Sequence, residues 1–252
     1  MTTPPDMSSY AAAAVDLTKV YGSGAATVHA LAGVDVRLAK GEFTAIMGPS
    51  GSGKSTLMHL LAGLDRPTAG DVYLAGSWLG KLSDKQATLL RRERVGFIFQ
   101  NFNLLPMYTA KQNILLPLDL AGRKPDPEWF DQLIQLLGLD DRLTHLPSEL
   151  SGGQQQRVAI ARALITRPDV IFADEPTGNL DSRSGGQVLS FLRTCVRELS
   201  QTVIMVTHDA VAASHASRVL LIADGLLAGE ITDPTPEAVN RSLDLLRTEE
   251  VA

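Results

Sequence analysis

Eight consecutive residues, Gly48-Pro49-Ser50-Gly51-Ser52-Gly53-Lys54-Ser55, have the types and spacing to hold a phosphate. They fit the phosphate-loop pattern G-x-x-x-x-G-K-[ST]. Its glycines let backbone N–H groups turn inward as an anion-binding nest. A helix starting at Lys54 adds unpaired amides and the positive end of its dipole. Lys54 can reach the β- and γ-phosphates, and the Ser55 hydroxyl can ligate Mg²⁺. Thr56 belongs to the same nucleotide-binding set.

A phosphate-loop enzyme also needs a carboxylate for the metal at the end of a buried strand. Two places offer one. The apolar run 170–173 ends at Asp174-Glu175, and the run 219–222 is followed by Asp224. Asp224 precedes Gly225 and reads as a turn residue. At the other place, Asp174 can hold Mg²⁺ and Glu175 can orient or deprotonate a water. A third stretch, Ser151-Gly152-Gly153-Gln154, opens a helix with two glycines. Ser151 can cap that helix, but a cap does not require both glycines. The chain thus has two phosphate-ready helix starts, where one ATP needs one. The economical solution is that the second serves an ATP held by another copy.

These residues need a scaffold. Residues 43–47 are a short apolar run that reads as a buried strand, and 54–64 place Leu57, Leu60 and Leu61 on one helical face. Strands are expected at 15–21, 34–38, 71–75, 95–99, 170–173 and 202–207. Helices are expected from Ser83 as N-cap to Arg94, at 153–166 and at 183–199. Asp224-Gly225 sits between runs 219–222 and 226–231 and predicts a hairpin. From 101 to about 149, prolines punctuate short helical patterns, a helical insert with Trp129 in its core and Gly138 as a helix stop. Residues 1–10 read as a loose tail, and 234–252 as a short amphipathic helix packed on the body or on a partner.

Bulk properties narrow the function. The 252 residues carry 23 Lys+Arg against 28 Asp+Glu, a net charge of −5, which argues against nucleic-acid binding through overall basic charge. The single cysteine, Cys195, permits no internal disulfide and no multi-cysteine zinc site. No apolar run approaches the ~18 residues of a membrane span. Residues 1–10 lack the basic residues of a secretory signal. If the protein works at a membrane, another chain supplies the spanning helices.

The sequence resembles the nucleotide-binding subunit of ATP-binding-cassette (ABC) transporters. Leu150 to Gln154 reads LSGGQ, the signature of that family, upstream of the carboxylate strand as the family requires. The resemblance runs from about residue 15 to about residue 231. It implies an α/β fold: a phosphate-loop NTPase core of mixed sheet flanked by helices, an N-terminal antiparallel β part and an inserted α-helical subdomain. The implied division is a flexible tail at 1–12, a core at 13–100 and 166–233, the helical signature subdomain at 101–165, and a C-terminal helix or tail at 234–252.

The resemblance also implies roles. Tyr21 looks like the aromatic that stacks on adenine, where the sequence alone favours a surface residue. Gln100 looks like the glutamine that senses Mg²⁺ and γ-phosphate at the hinge of the insert. Asp174 matches the metal aspartate and Glu175 the catalytic glutamate. Asn179-Leu180-Asp181 looks like the loop at the dimer seam, and His208 like the histidine that contacts γ-phosphate. ATP and Mg²⁺ are the implied cofactors. A second copy and a membrane permease are the implied partners, with the chain peripheral on the cytoplasmic face of the inner membrane. Residues 96–100, 103–106 and 175–181 are similar to the MacB, LolD and FtsE group, which points to export or mechanical signalling. Regulation of a cell-wall or cell-division complex by the same ATPase stays open. Action on nucleic acid or ribosomes is disfavoured: the chain has one cassette and no room for coiled-coil or zinc insertions.

Overall fold

The computed structural model describes Met7 and residues 9–249. Its strands are β1 (Tyr10–Tyr21), β2 (Val28–Ala39), β3 (Phe43–Met47), β4 (Ala69–Leu74), β5 (Ser77–Trp78), β6 (Val95–Phe99), β7 (Val170–Asp174), β8 (Val203–Val206), β9 (Arg218–Ala223) and β10 (Leu226–Thr232). Its α-helices are α1 (Lys54–Leu61), α2 (Asp84–Arg94), α3 (Ala110–Leu120), α4 (Pro127–Leu137), α5 (Gly152–Leu164), α6 (Ser182–Leu199), α7 (Ala210–Ala213) and α8 (Pro236–Glu249).

The larger sheet has the order β10-β9-β3-β8-β7-β6. Its neighbours are parallel except for the edge pair β10–β9. Side chains alternate across it, and both faces are buried, as parallel strands require. Ala45, Met47, Ile171, Ala173, Val203 and Met205 face one core, which they share with α3 to α6 and α8. Ile46, Val170, Phe172, Ile204 and Val206 face the other core, with α1 and the antiparallel sheet β2-β1-β4-β5. The molecule is therefore three layers with the parallel strands in the middle.

Three expectations change. The tail expected at 1–12 gives way to strand by Tyr10, and Ala11 and Ala12 are fully buried on β1. Residues 1–6 and 8 of the expected tail lie outside the described residues. Strands β1 and β2 are each longer than expected. Their pairing slips between Ala14 and Leu17 and again between Leu17 and Thr18, and Asp16 (φ 47°) and Gly33 (φ 102°) sit in the left-handed region. Such bulges break the period-2 pattern by which a strand is recognised. Finally, the helical insert has no separate core. Trp129, Leu133 and Ile134 join the same cluster as strands β3, β7 and β8, and Trp129 Nε1 donates to the Leu164 carbonyl at 3.3 Å.

Other expectations match. Ser83 caps α2 in a capping box. Gly138 ends α4 at φ 57°. Asp224 (φ 48°) and Gly225 (φ 73°) make the β9–β10 turn. That turn has a second use: the Gly225 amide donates to Ser52 O at 3.1 Å, and the Ala32 amide to Gly225 O at 2.9 Å. The hairpin thus pins the phosphate loop against β2. Of the C-terminal segment, α8 packs on the body through Val239 and Leu243, and residues 250–252 lie outside the described residues.

Candidate functional site

Ligands of open parallel sheets bind beyond the carboxyl ends of the strands. Here β3 runs into Gly48, β6 into Gln100, β7 into Glu175 and β8 into Thr207-His208. Every sequence-predicted residue outside the signature segment, Tyr21 and Asp181 follows one of these strand ends.

The phosphate loop is locked by its glycines. A Cβ on Gly48 (φ 153°) would lie 1.9 Å from Ile222 O, and one on Gly53 (φ 100°) 2.3 Å from Ala30 O. Only glycine fits at either place. Gly51 (φ 82°) needs the backbone conformation but not the space. Pro49 O accepts from the Lys54 ammonium at 2.5 Å and from the Ser52 amide at 3.3 Å. Burial pushes the Lys54 ammonium below its ordinary pKa, against the opposing pull of Glu175, so loop and carboxylate are within electrostatic reach. Ser52 Oγ is buried with no hydrogen-bond partner, a group that a phosphate oxygen would satisfy. Ser50 and Ser55 are exposed, and Thr56 is half-buried on α1.

At the end of β7, Asp174 is half-buried and its carboxylate accepts no hydrogen bond from the described residues. Burial raises its pKa; His59 opposes this and Glu175 adds to it. An unpaired hard oxygen donor in such a place fits Mg²⁺. Because the folded pKa is the higher one, this group's contribution to stability is full below the ordinary carboxylate range. It is lost as pH rises through the raised value. Above that raised value the metal-free fold carries an ionised group it disfavours. Asp174→Asn is expected to raise the thermal midpoint of the Mg²⁺-free protein by about a degree or two at pH 7, with the gain vanishing near pH 4. Scanning calorimetry at the two pH values checks this.

Glu175 is the best-held residue of the site. Its Oε1 lies 2.8 Å from His208 Nδ1, and its Oε2 accepts from Thr207 Oγ1 at 3.3 Å. Thr207 Oγ1 in turn accepts from the Asp209 amide at 3.1 Å. Glu175 has φ 45°, a strained conformation for a non-glycine residue and a frequent mark of functional sites. The His208 side chain is 75% exposed, so one face of the pair opens to solvent.

Gln100 follows Phe99, which pairs with Asp174 in the sheet. Its amide points at the segment after Glu175: Gln100 Nε2 donates to Asn179 Oδ1 at 3.2 Å, and Asn179 Nδ2 donates back to Gln100 O at 3.2 Å. Tyr21 is 41% exposed. Its hydroxyl donates to Asp65 at 2.9 Å, and Lys19 Nζ stands 4.7 Å from the ring centroid. Burial, then the Asp65 bond, raises the Tyr21 pKa, while the nearby Thr56 side chain lowers it.

The signature segment stands apart. Ser151 and Gln154 form a capping box, with Gln154 N donating to Ser151 Oγ at 3.3 Å and Ser151 N to Gln154 Oε1 at 2.8 Å. The neighbours of a Cβ built at Gly152 are Leu180, Phe102 and Asn179, and at Gly153 Ser184. Asp181 caps α6 through the Arg183 and Ser184 amides, both at 3.0 Å, and these bonds hold its carboxyl below the usual range. The structure therefore groups Ser151 to Gln154 with 179–184 and not with its own phosphate loop.

Sequence reasoning missed Thr207 and Gln156. Thr207 is the link between Glu175 and Asp209. Gln156 is fully buried, and its Nε2 donates to Pro176 O at 2.5 Å. The available signal was a glutamine on the face of α5 that is otherwise apolar.

A phosphate loop, a metal-ready aspartate and a glutamate–histidine pair at one end of a parallel sheet define a phosphate-loop NTPase. Comparison with known proteins narrows the class. Residues 31–178 match the ABC transporter family model. The chain is 45% identical to the lipoprotein-releasing system ATP-binding protein LolD of Legionella pneumophila, over 84% of this chain and 94% of that protein. It is 46% identical to the macrolide export ATP-binding/permease protein MacB of Marinobacter nauticus, over 88% of this chain and 35% of that one. A solved dimeric ATP-binding cassette in a post-hydrolysis state with ADP and Pi is 39% identical; it superposes with a TM-score of 0.79, over 88% of this chain and 98% of that chain. The chain belongs to the ABC transporter family, as one of its ATPase subunits.

Proposed function

We propose that two copies of this chain close head to tail around two ATP molecules and drive a separate membrane permease of the export or mechanical-signalling type. The observation that carries the reading is the separation just described. Glu175 and His208 stand with the phosphate loop, whereas Ser151 to Gly153 pack on the segment 179–184. In a closed dimer the second copy supplies that missing face. That the related cassette with ADP and Pi is a dimer supports pairing of two copies.

In this reading Gly48 to Thr56 cradle the phosphates and Tyr21 stacks on adenine. Ser55, Asp174 and Gln100 hold Mg²⁺, which neutralises charge on the β- and γ-phosphates when bound. Glu175 takes a proton from the attacking water, and His208 holds Glu175 and the γ-phosphate side. Gln154 braces Ser151, and Asp181 lies at the seam. The γ-phosphate bridges the halves, so ATP favours the closed state and hydrolysis releases it, a population shift set by differential contacts.

Among the described residues no helix is long and apolar enough to cross a membrane. In this reading the permease is a separate chain and this one sits on the cytoplasmic face of the inner membrane, a placement supported by the name of the lipoprotein-releasing relative, an ATP-binding protein of a larger system. A groove of about 410 Å³ suits its docking. Its lining includes Val95, Phe97, Phe99, Leu116 and Leu120 together with Arg91, Arg92 and Arg162. Leu120 is 70% exposed there. Leu120→Asp is expected to leave the ATPase of the isolated chain within about twofold and to abolish co-purification with a co-expressed candidate permease. Retained co-purification would reject this groove, and a neighbouring gene for a cell-wall hydrolase regulator would favour the signalling reading.

A further inference from the structure

We propose that helix α8 is a positioning element of the catalytic pocket, acting on His208 and Glu175 through the short helix α7. The inference rests on the ATPase reading above and goes beyond it, because it assigns a catalytic consequence to the C-terminal segment.

The path is continuous. Helix α7 follows directly on His208-Asp209. It is four residues long, Ala210–Ala213, and is capped by Asp209, whose Oδ1 accepts from the Val211 amide at 2.8 Å. One turn of helix cannot hold itself in water; its geometry comes from what it packs on. Ala210, Ala212 and Ala213 are buried yet too small to fill that contact alone. Cover comes from α8, which packs on α7 and β9. Val239 is fully buried and Leu243 nearly so, in the same core cluster as the α7 alanines, Ala216 and Val219. At its start α8 is tied down by the Val239 amide on Thr235 O at 3.0 Å and the Ala238 amide on Thr235 Oγ1 at 3.2 Å.

The other end of α7 reaches the chemistry. Its cap, Asp209, donates its amide to Thr207 Oγ1, and Thr207 Oγ1 donates to Glu175. A shift of α7 therefore moves the groups that hold both carboxylate oxygens of Glu175. Helix α8 also reaches the pocket itself. A cavity of about 470 Å³ beside the pair is lined by Glu175, Thr177, His208, Asp209, Val211 and, from α8, Asn240. Among the described residues none of the hydrogen bonds along this path goes to Gly48 to Ser55, whose own contacts are with Ile222, Ala30 and Gly225, so the path bears on turnover more than on nucleotide affinity.

The test is steady-state ATPase of the full chain, with nucleotide affinity measured separately by fluorescent ATP analogue titration. Val239→Ala/Leu243→Ala loosens α8. The turnover number is expected to fall about tenfold or more with KM and nucleotide affinity within about twofold, since small misplacements of catalytic groups cost that much. Val239→Ile/Leu243→Met should retain turnover, and Arg241→Ala, on the exposed face of α8, should be neutral. Amide exchange at 207–213 should quicken in the alanine variant. A folded alanine variant with unchanged turnover overturns the proposal, as does a fall matched by equal loss of affinity. If the alanine pair does not fold, Asn240→Trp, at an exposed position, carries the test: it narrows the cavity and should lower turnover without altering affinity, and unchanged turnover overturns the proposal. Glu175→Gln run in parallel separates the failures. Hydrolysis surviving in that variant overturns the ATPase assignment of Glu175. Hydrolysis lost there but unmoved by the α8 variants overturns the role of α8 alone.

Discussion

Glu175→Gln is expected to lower ATP hydrolysis by about 10²–10⁴-fold, the range for removing a general base, while ATP affinity stays within about threefold. The substitution keeps shape and volume. One side-chain oxygen remains to meet His208 Nδ1 or Thr207 Oγ1, now 2.8 and 3.3 Å from the two carboxylate oxygens. The ability to take a proton from water is lost. The groups that bind phosphate belong to a different strand end: Gly48 to Ser55 keep their conformation, pinned by Ile222, Ala30 and Gly225. Binding without turnover has a second consequence. If ATP closes the dimer and hydrolysis opens it, the variant accumulates as a closed, ATP-loaded dimer. Phosphate release in a single turnover measures the first effect, and sedimentation with ATP and with ADP measures the second. Full turnover in the variant would remove Glu175 from the mechanism.

The phosphate loop and the carboxylates were legible because each is a contiguous stretch whose residue types admit few uses. Gly48 and Gly53 illustrate this: each sits where a Cβ would strike a carbonyl oxygen, so the glycine itself reports the geometry. The signature segment was legible in another way. Its two glycines exceeded what a capped helix needs, and the structure shows both pressed against 179–184. Three parts were not legible. The start of β1 is a run of alanines with no alternation, and bulges at Asp16 and Gly33 hide the rest of the β1–β2 pairing. The Tyr21–Asp65 bond joins residues 44 apart, and no local pattern encodes it. Helix α7 is shorter than the window in which a 3.6-residue period can be detected. Its influence on Glu175 runs through the Thr207 hydroxyl, a residue that reads as ordinary strand.

Ser151→Arg is expected to bind ATP normally and yet form no ATP-dependent dimer, with hydrolysis reduced to background. Ser151 lies away from its own chain's phosphate loop. Its side chain works only on its own helix start, as the cap of α5, and its neighbourhood is 179–184, not Lys54. Losing the cap costs about 1 kcal/mol, too little to unfold a domain of this size. An arginine there projects into the surface that the second copy's ATP must approach, so it blocks closure without touching the chain's own phosphate loop. Lys54→Ala fails differently: it loses the phosphate grip but keeps an intact Ser151 face. Mixing the two variants in equal amounts distinguishes a shared site from a site within one chain. In a head-to-tail dimer of one of each, one of the two sites combines an intact phosphate loop with an intact signature face. Only the mixed pair can close on ATP, and each mixed dimer has one intact site of two, so where one site suffices a mixed dimer should show up to about half the activity of the unaltered dimer. If each chain hydrolysed ATP alone, mixing two inactive variants would restore nothing. Recovery in the mixture is therefore the result that only a composite site yields, and its absence, with mixed dimers shown to form, would return the chemistry to the single chain.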